Sequence, residues 1–126
     1  MEYGSNIEQL KSKIGFGIKL WLKFENESIL GSGWAKLLDN IEKNRDASLT
    51  QAARQCNYSY KYAWNILKRI EKRTGSAVVK TSKGGPGGGG SVKLNEWGKF
   101  LLNYYNKYLE EIKKVEKKLS ETMKIN

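Results

Sequence analysis

The chain has 126 residues and a formal net charge of +10, from 23 Lys and Arg against 13 Asp and Glu, with no His and a single Cys. That length suits one domain with a modest core and room for one appended helix. Without histidine or a second cysteine, a structural zinc site, a His-based acid–base pair and a disulfide framework all lack ligands or partners.

The hydrophobic fraction of 39% argues for a folded chain, so the positive charge has to be a surface feature that attracts a polyanion. The N-terminus has no basic stretch followed by an apolar run, and no window approaches the roughly 18 apolar residues of a membrane span. The sequence therefore reads as cytoplasmic, with no cofactor, no metal and no membrane partner.

In chain order, residues 1–17 form an N-terminal segment that is partly helical. Ile18 to Phe24 alternates in part and is rich in strand formers, which predicts a strand. Ser32 is placed to cap a helix whose apolar positions Trp34, Leu37, Leu38 and Ile41 recur at i, i+3, i+4 and i+7. Ser48 caps a second, shorter helix with Leu49, Ala52, Ala53 and Cys56 on one face, and Asn57 tolerates the left-handed conformation that would end it.

Ser59 caps a third helix. Tyr60, Ala63, Trp64, Leu67 and Ile70 are expected to face inward; Lys61, Tyr62, Asn65, Lys68, Arg69, Lys72 and Arg73 face out, and Thr74 with Gly75 closes it. Strands at Val78 to Ser82 and Ser91 to Leu94 follow, joined by Gly84 to Gly90, which holds six of the 13 glycines and the only proline. From the cap residue Asn95 the chain reads helical almost to its end. Leu101, Tyr105, Tyr108, Ile112, Val115 and Leu119 are spaced alternately by four and three, which is a heptad seam.

Charge is concentrated at one place. Residues 59–83 carry Lys61, Lys68, Arg69, Lys72, Arg73, Lys80 and Lys83 against Glu71 alone, six of the ten net charges. Helix, helix, tight turn, helix and strand pair is the order of a winged helix-turn-helix, and the small Ala52 and Ala53 let the two motif helices approach. The predicted fold is mainly α with a small β wing: a DNA-binding domain over 18–94 and a dimerisation helix over 95–126.

The third helix has a capped N-terminus for a phosphate, short polar and aromatic side chains for base edges, and distal cations for the flanking backbone. The expected contact set is Thr50 and Gln51 at the start of the second helix; Ser59, Tyr60, Lys61, Tyr62, Asn65, Lys68, Arg69, Lys72 and Arg73; and Lys80, Ser82, Lys83 and Gly87 on the wing.

Gly31-Ser-Gly-Trp-Ala-Lys-Leu-Leu38, Ala52-Ala-Arg54, Ser59-Tyr-Lys-Tyr-Ala-Trp64, the run from Thr81 to Gly90 and Leu94-Asn-Glu-Trp-Gly98 resemble, in order, the N-terminal DNA-binding domain of molybdate-responsive ModE-type regulators, which is related to the LysR-type winged helix. The resemblance covers roughly residues 18–108. It implies that Ser59, Tyr60, Lys61 and Tyr62 lie at the major-groove end of the recognition helix, that Lys83 and the glycines form the wing, and that the last helix belongs to a homodimer. Family regulators sense molybdate through a C-terminal module for which no residues follow here, so no molybdate binding is expected. Asn57 and Asn95 stand where the family often has Gly and Thr, and Pro86 stands where a basic wing residue is common.

Other readings bear on the same residues. Trp34, Trp64 and Trp97 are expected in the core rather than as base-stacking platforms. Cys56 reads as a small buried residue, and the terminal seam has two options, a partner or its own domain. The glycine run fits a dinucleotide pattern, but a strand follows it and no Lys-Ser or Lys-Thr pair does, so nucleotide binding is excluded.

The leading function is a homodimeric, sequence-specific regulator of transcription, with half-sites about 34 Å or a multiple apart. The alternative is an architectural, nucleoid-associated protein binding any duplex by counterion release. A third is a protein-interaction module built on the long helix. No acid, base, nucleophile or metal cluster supports an enzyme.

Overall fold

The computed structural model describes residues 6–44, 48–82 and 91–123. The elements in order are α1 (Ile7–Lys11), β1 (Leu22–Phe24), β2 (Glu27–Leu30), α2 (Ser32–Lys43), α3 (Leu49–Gln55), α4 (Tyr60–Thr74), β3 (Val79–Ser82), β4 (Ser91–Leu94) and α5 (Glu96–Thr122). Helices dominate, and the strands form two separate antiparallel pairs, β1 with β2 and β3 with β4.

Three of the four expected caps form. The Ser48 hydroxyl accepts from the Gln51 amide at 3.1 Å, Ser59 from Tyr62 at 3.0 Å, and the Asn95 carbonyl from Gly98 at 2.8 Å. Each fills one of the donors that a helix start leaves unpaired. Ser32 differs: it is the first helical residue, and the cap position is Gly31, which has no side chain to offer the first-turn amides.

Leu37, Leu38 and Ile41 of α2 meet Leu49, Ala52 and Ala53 of α3 and Ala63, Leu67 and Ile70 of α4 in one core, closed by Leu101, Leu102 and Tyr105 of α5. Ala52 and Ala53 are fully buried, as close approach of α3 to its neighbours requires. Asn57 takes φ 61, and the Tyr58 amide returns to the Ala53 carbonyl at 2.9 Å, so the α3–α4 turn is tight. Gly75 ends α4 at φ 83. Gly75→Ala is expected to cost about 1 kcal/mol in urea denaturation, since an L side chain is strained there; an unchanged midpoint would mean that the helix end relaxes.

Two readings need correction. The strand expected over 18–24 is formed only at 22–24, and its partner, Glu27–Leu30, was not anticipated. A turn at Glu25 and Asn26, with Glu25 at φ 55, folds the chain back on itself, and neither residue is a glycine that would have flagged it. On α4, Tyr60 is exposed and Ile66 takes the inward place, while Trp64 is half-buried. Aromatics beside a helix start can lie on the surface without losing the inner stripe, which Ala63, Ile66, Leu67 and Ile70 complete.

Candidate nucleic-acid interface

The 15 residues of α4 carry the charge peak, and the core fixes how they are turned. At 3.6 residues per turn, Lys61, Asn65, Lys68 and Lys72 recur at i, i+4, i+7 and i+11, diametrically opposite Ala63, Ile66, Leu67 and Ile70. All four are exposed. Tyr62, Arg69 and Arg73 lie on one flank and Trp64 and Glu71 on the other.

The flanks are tied to neighbouring elements. The Arg73 Nη1 donates to the Ser28 carbonyl and its Nε lies 3.5 Å from the Glu27 carboxylate, so this cation braces the β1–β2 pair. Lys68 stands 5.3 Å from the Trp64 ring centroid and 3.5 Å from Glu71, a cation–π and ion-pair arrangement that steers the ammonium along the outer face. Lys61, Arg69 and Lys72 have no ion pair among the described residues. Tyr62 meets Tyr58 edge to face at 4.8 Å. Burial pushes the Tyr58 hydroxyl pKa up, with Cys56 and Tyr62 adding to the rise.

Thr50 and Gln51 are exposed in the first turn of α3. On the strand pair, Lys80 opposes Lys93 and Ser82 opposes Ser91, with the two serine hydroxyls hydrogen-bonded. Alternation places Lys80 and Ser82 on the ladder face away from Val79 and Thr81, and it is Val79 and Thr81 that border the small cavity against Trp64 and Lys68. Lys93 was missed by sequence reasoning, although the pattern Val92 in, Lys93 out, Leu94 in would have found it. Lys83 and Gly87 lie outside the described residues.

The heptad seam divides. Leu101 and Tyr105 are core residues of their own domain, and Ile112 is half-buried; Tyr108, Val115 and Leu119 are exposed. A run of aromatic side chains leads into them. Trp97 stacks on Phe100 and Phe100 on Tyr104, with ring centroids 5.8 and 5.4 Å apart, and Tyr104 meets Tyr108 edge to face at 5.1 Å; Val115 and Leu119 lie further along the same side of the helix. Near its end, Ile14 and Phe16 of the N-terminal segment face Leu119 and Met123 across a groove of about 630 Å³.

Among the described residues no cluster of His, Cys, Asp or Glu could hold a metal ion, and no helix is long and apolar enough to cross a membrane. Cys56 is half-buried, its thiol pKa raised by burial although an Asn40 hydrogen bond of 3.2 Å and Lys36 act against the rise.

No family model matches the chain. It is 30% identical over 89 residues to the DNA-binding transcriptional dual regulator ModE of Escherichia coli (strain K12), a match that covers 71% of this chain and 33% of that protein. The transcriptional regulator ModE of Shigella flexneri matches to the same extent. A molybdenum transport protein ModE of Herbaspirillum seropedicae is 40% identical over 55 residues, 44% of this chain and 20% of the relative. The chain spans a third or less of the length of these curated relatives, and over that span it is similar to ModE-type transcriptional regulators.

Proposed function

We propose that this chain is a DNA-binding regulator of transcription that acts as a homodimer. Its domain over 18–94 is a winged helix-turn-helix that inserts α4 into a major groove, and its last helix, α5, pairs two copies. The observation that carries this reading is the outward line of Lys61, Asn65, Lys68 and Lys72 on a capped helix whose opposite side is locked into the core. A helix fits the major groove, lysines at its edges meet phosphates, and Asn65 between them has the amide that pairs with adenine.

Similarity to proteins described as transcriptional regulators supports the same reading, and makes an enzyme the less economical one. Thr50, Gln51 and Ser59 lie where helix starts present amides to a backbone phosphate. Arg73, engaged by Glu27 and Ser28, contributes by holding α4 against the hairpin rather than by reaching the duplex. Lys80 and Ser82 belong to the wing strand β3.

Fluorescence anisotropy tests this, with genomic fragments and a random duplex titrated in salt. A site-specific regulator keeps some fragment bound at least ~1,000-fold more tightly than random duplex at physiological salt. Lys72→Ala is expected to lower the salt slope by about one unit, and Asn65→Ala to relax sequence preference at one position by about 1–3 kcal/mol. Equal affinities that collapse together with salt would instead favour the architectural role. Absence of binding at low salt would refute DNA binding altogether.

A further inference from the structure

Between the start of α2, the β1–β2 pair and the flank of α4 lies a groove of about 500 Å³, within the range of small-ligand sites. Its walls are of two kinds. Trp21, half exposed, and Trp34, packed on the core, contribute flat apolar surface. Tyr58, Arg69 and Arg73 contribute donors.

Several of those donors have no acceptor. Arg69 has no ion pair and the Tyr58 hydroxyl no hydrogen bond among the described residues. The hydroxyl lies against the bare backbone of Gly33, where an added Cβ would come within 2.6 Å of it. Gly31 and Gly33, at the start of α2, also line the groove, and Gly31 gives that helix start no side-chain cap. The carboxylate of Glu27, on β2, is engaged by Arg73.

A concave surface lined by two indoles, a guanidinium without an ion pair and a hydroxyl without a hydrogen bond among the described residues complements a flat apolar body bearing an acidic group. We propose that this groove is a binding site for a small aromatic carboxylate, whose ring lies against Trp21 and Trp34 and whose carboxylate is held by Arg69 and Tyr58. Guanidinium and carboxylate match as a fork, and a planar ring buries itself against tryptophan without ordering cost from rotatable bonds. Arg69 also belongs to the proposed DNA-contact set, so a bound ligand would compete with DNA for it; that consequence, unlike binding itself, rests on the DNA reading.

The test uses the full chain labelled with ¹⁵N and follows the four Trp indole signals without DNA. Titration with 2-naphthoate is expected to give saturable shifts at Trp21 and Trp34 and none at Trp64 and Trp97. Affinity should fall at least tenfold for the neutral 2-naphthamide and for Arg69→Ala, a substitution at an exposed position that leaves the core intact. Equal binding of the amide, unchanged binding by Arg69→Ala, or shifts spread over all four indoles would overturn the proposal. So would silence toward 2-naphthoate with movement of Trp21 and Trp34 only on adding duplex DNA, which would make the groove a backbone contact.

Discussion

Gly98→Ala is expected to be the most damaging single substitution in the chain, destabilising it by roughly 3 kcal/mol or more through overpacking against rigid backbone. In an exposed helix the same change would stabilise by about 1 kcal/mol, because alanine is the better helix former. Here the first turn of α5 rests on the segment that joins α4 to β3. A Cβ at position 98 would overlap the Val78 carbonyl and press on Leu94 Cδ2 at 3.3 Å.

The carbonyl has little freedom to move. It accepts from the Asn95 amide at 3.0 Å, the Asn95 side chain donates to the Ala77 carbonyl at 2.7 Å, and Trp97 Nε1 reaches Thr74 Oγ1 at 3.2 Å. Relief would require α5 to lift from the domain, opening the core at Leu101 and Leu102. Gly15→Ala, where an added Cβ meets nothing within 4 Å, provides the neutral comparison. Urea midpoints for the two variants check the difference; equal midpoints would show that the α5 contact is soft.

The order of helices and of the β3–β4 pair was legible because local chemistry and global packing agree there. Ser48, Ser59 and Asn95 cap, Asn57 and Gly75 take left-handed turns, and the apolar stripe of α2 keeps helical period. What the sequence hid depends on tertiary neighbours. The β1–β2 turn has no glycine, and its register is broken by a bulge between Leu22 and Lys23 that spoils simple alternation.

The candidate site was legible as a set of residues and not as a geometry. Periodicity assigns Lys61, Asn65, Lys68 and Lys72 to one line, but only packing reveals that Arg73 is taken by Glu27 and that Lys80 lies on the far face of its ladder. The α5 seam divides for a related reason. Heptad counting follows one line along the helix, and only packing reveals that its start, at Leu101 and Tyr105, is covered by the domain while Tyr108, Val115 and Leu119 stay outside.

That distinction selects which residues should control self-association. Tyr104→Glu with Tyr108→Glu is expected to convert a dimer into a monomer in sedimentation velocity. Both side chains are exposed, at 42% and 47%, so the fold tolerates the change. The stripe they share with Phe100, Val115 and Leu119 is apolar along most of a 27-residue helix, about 40 Å long.

In a two-fold interface each substitution occurs twice, and four introduced carboxylates would be desolvated near one another without partners. Affinity for a palindromic duplex should then fall by about 10²–10⁴, the loss expected when two half-site contacts are no longer linked, while a single half-site is bound as before. Asn106→Glu adds charge on the exposed side of α5 opposite these residues and should leave assembly unchanged. A dimer that survives the double substitution would move the interface to the N-terminal segment, where Ile7, Leu10, Ile14 and Phe16 are also exposed. A parent chain that sediments as a monomer would remove the homodimer from the mechanism, and α4 would have to read its site as a single module.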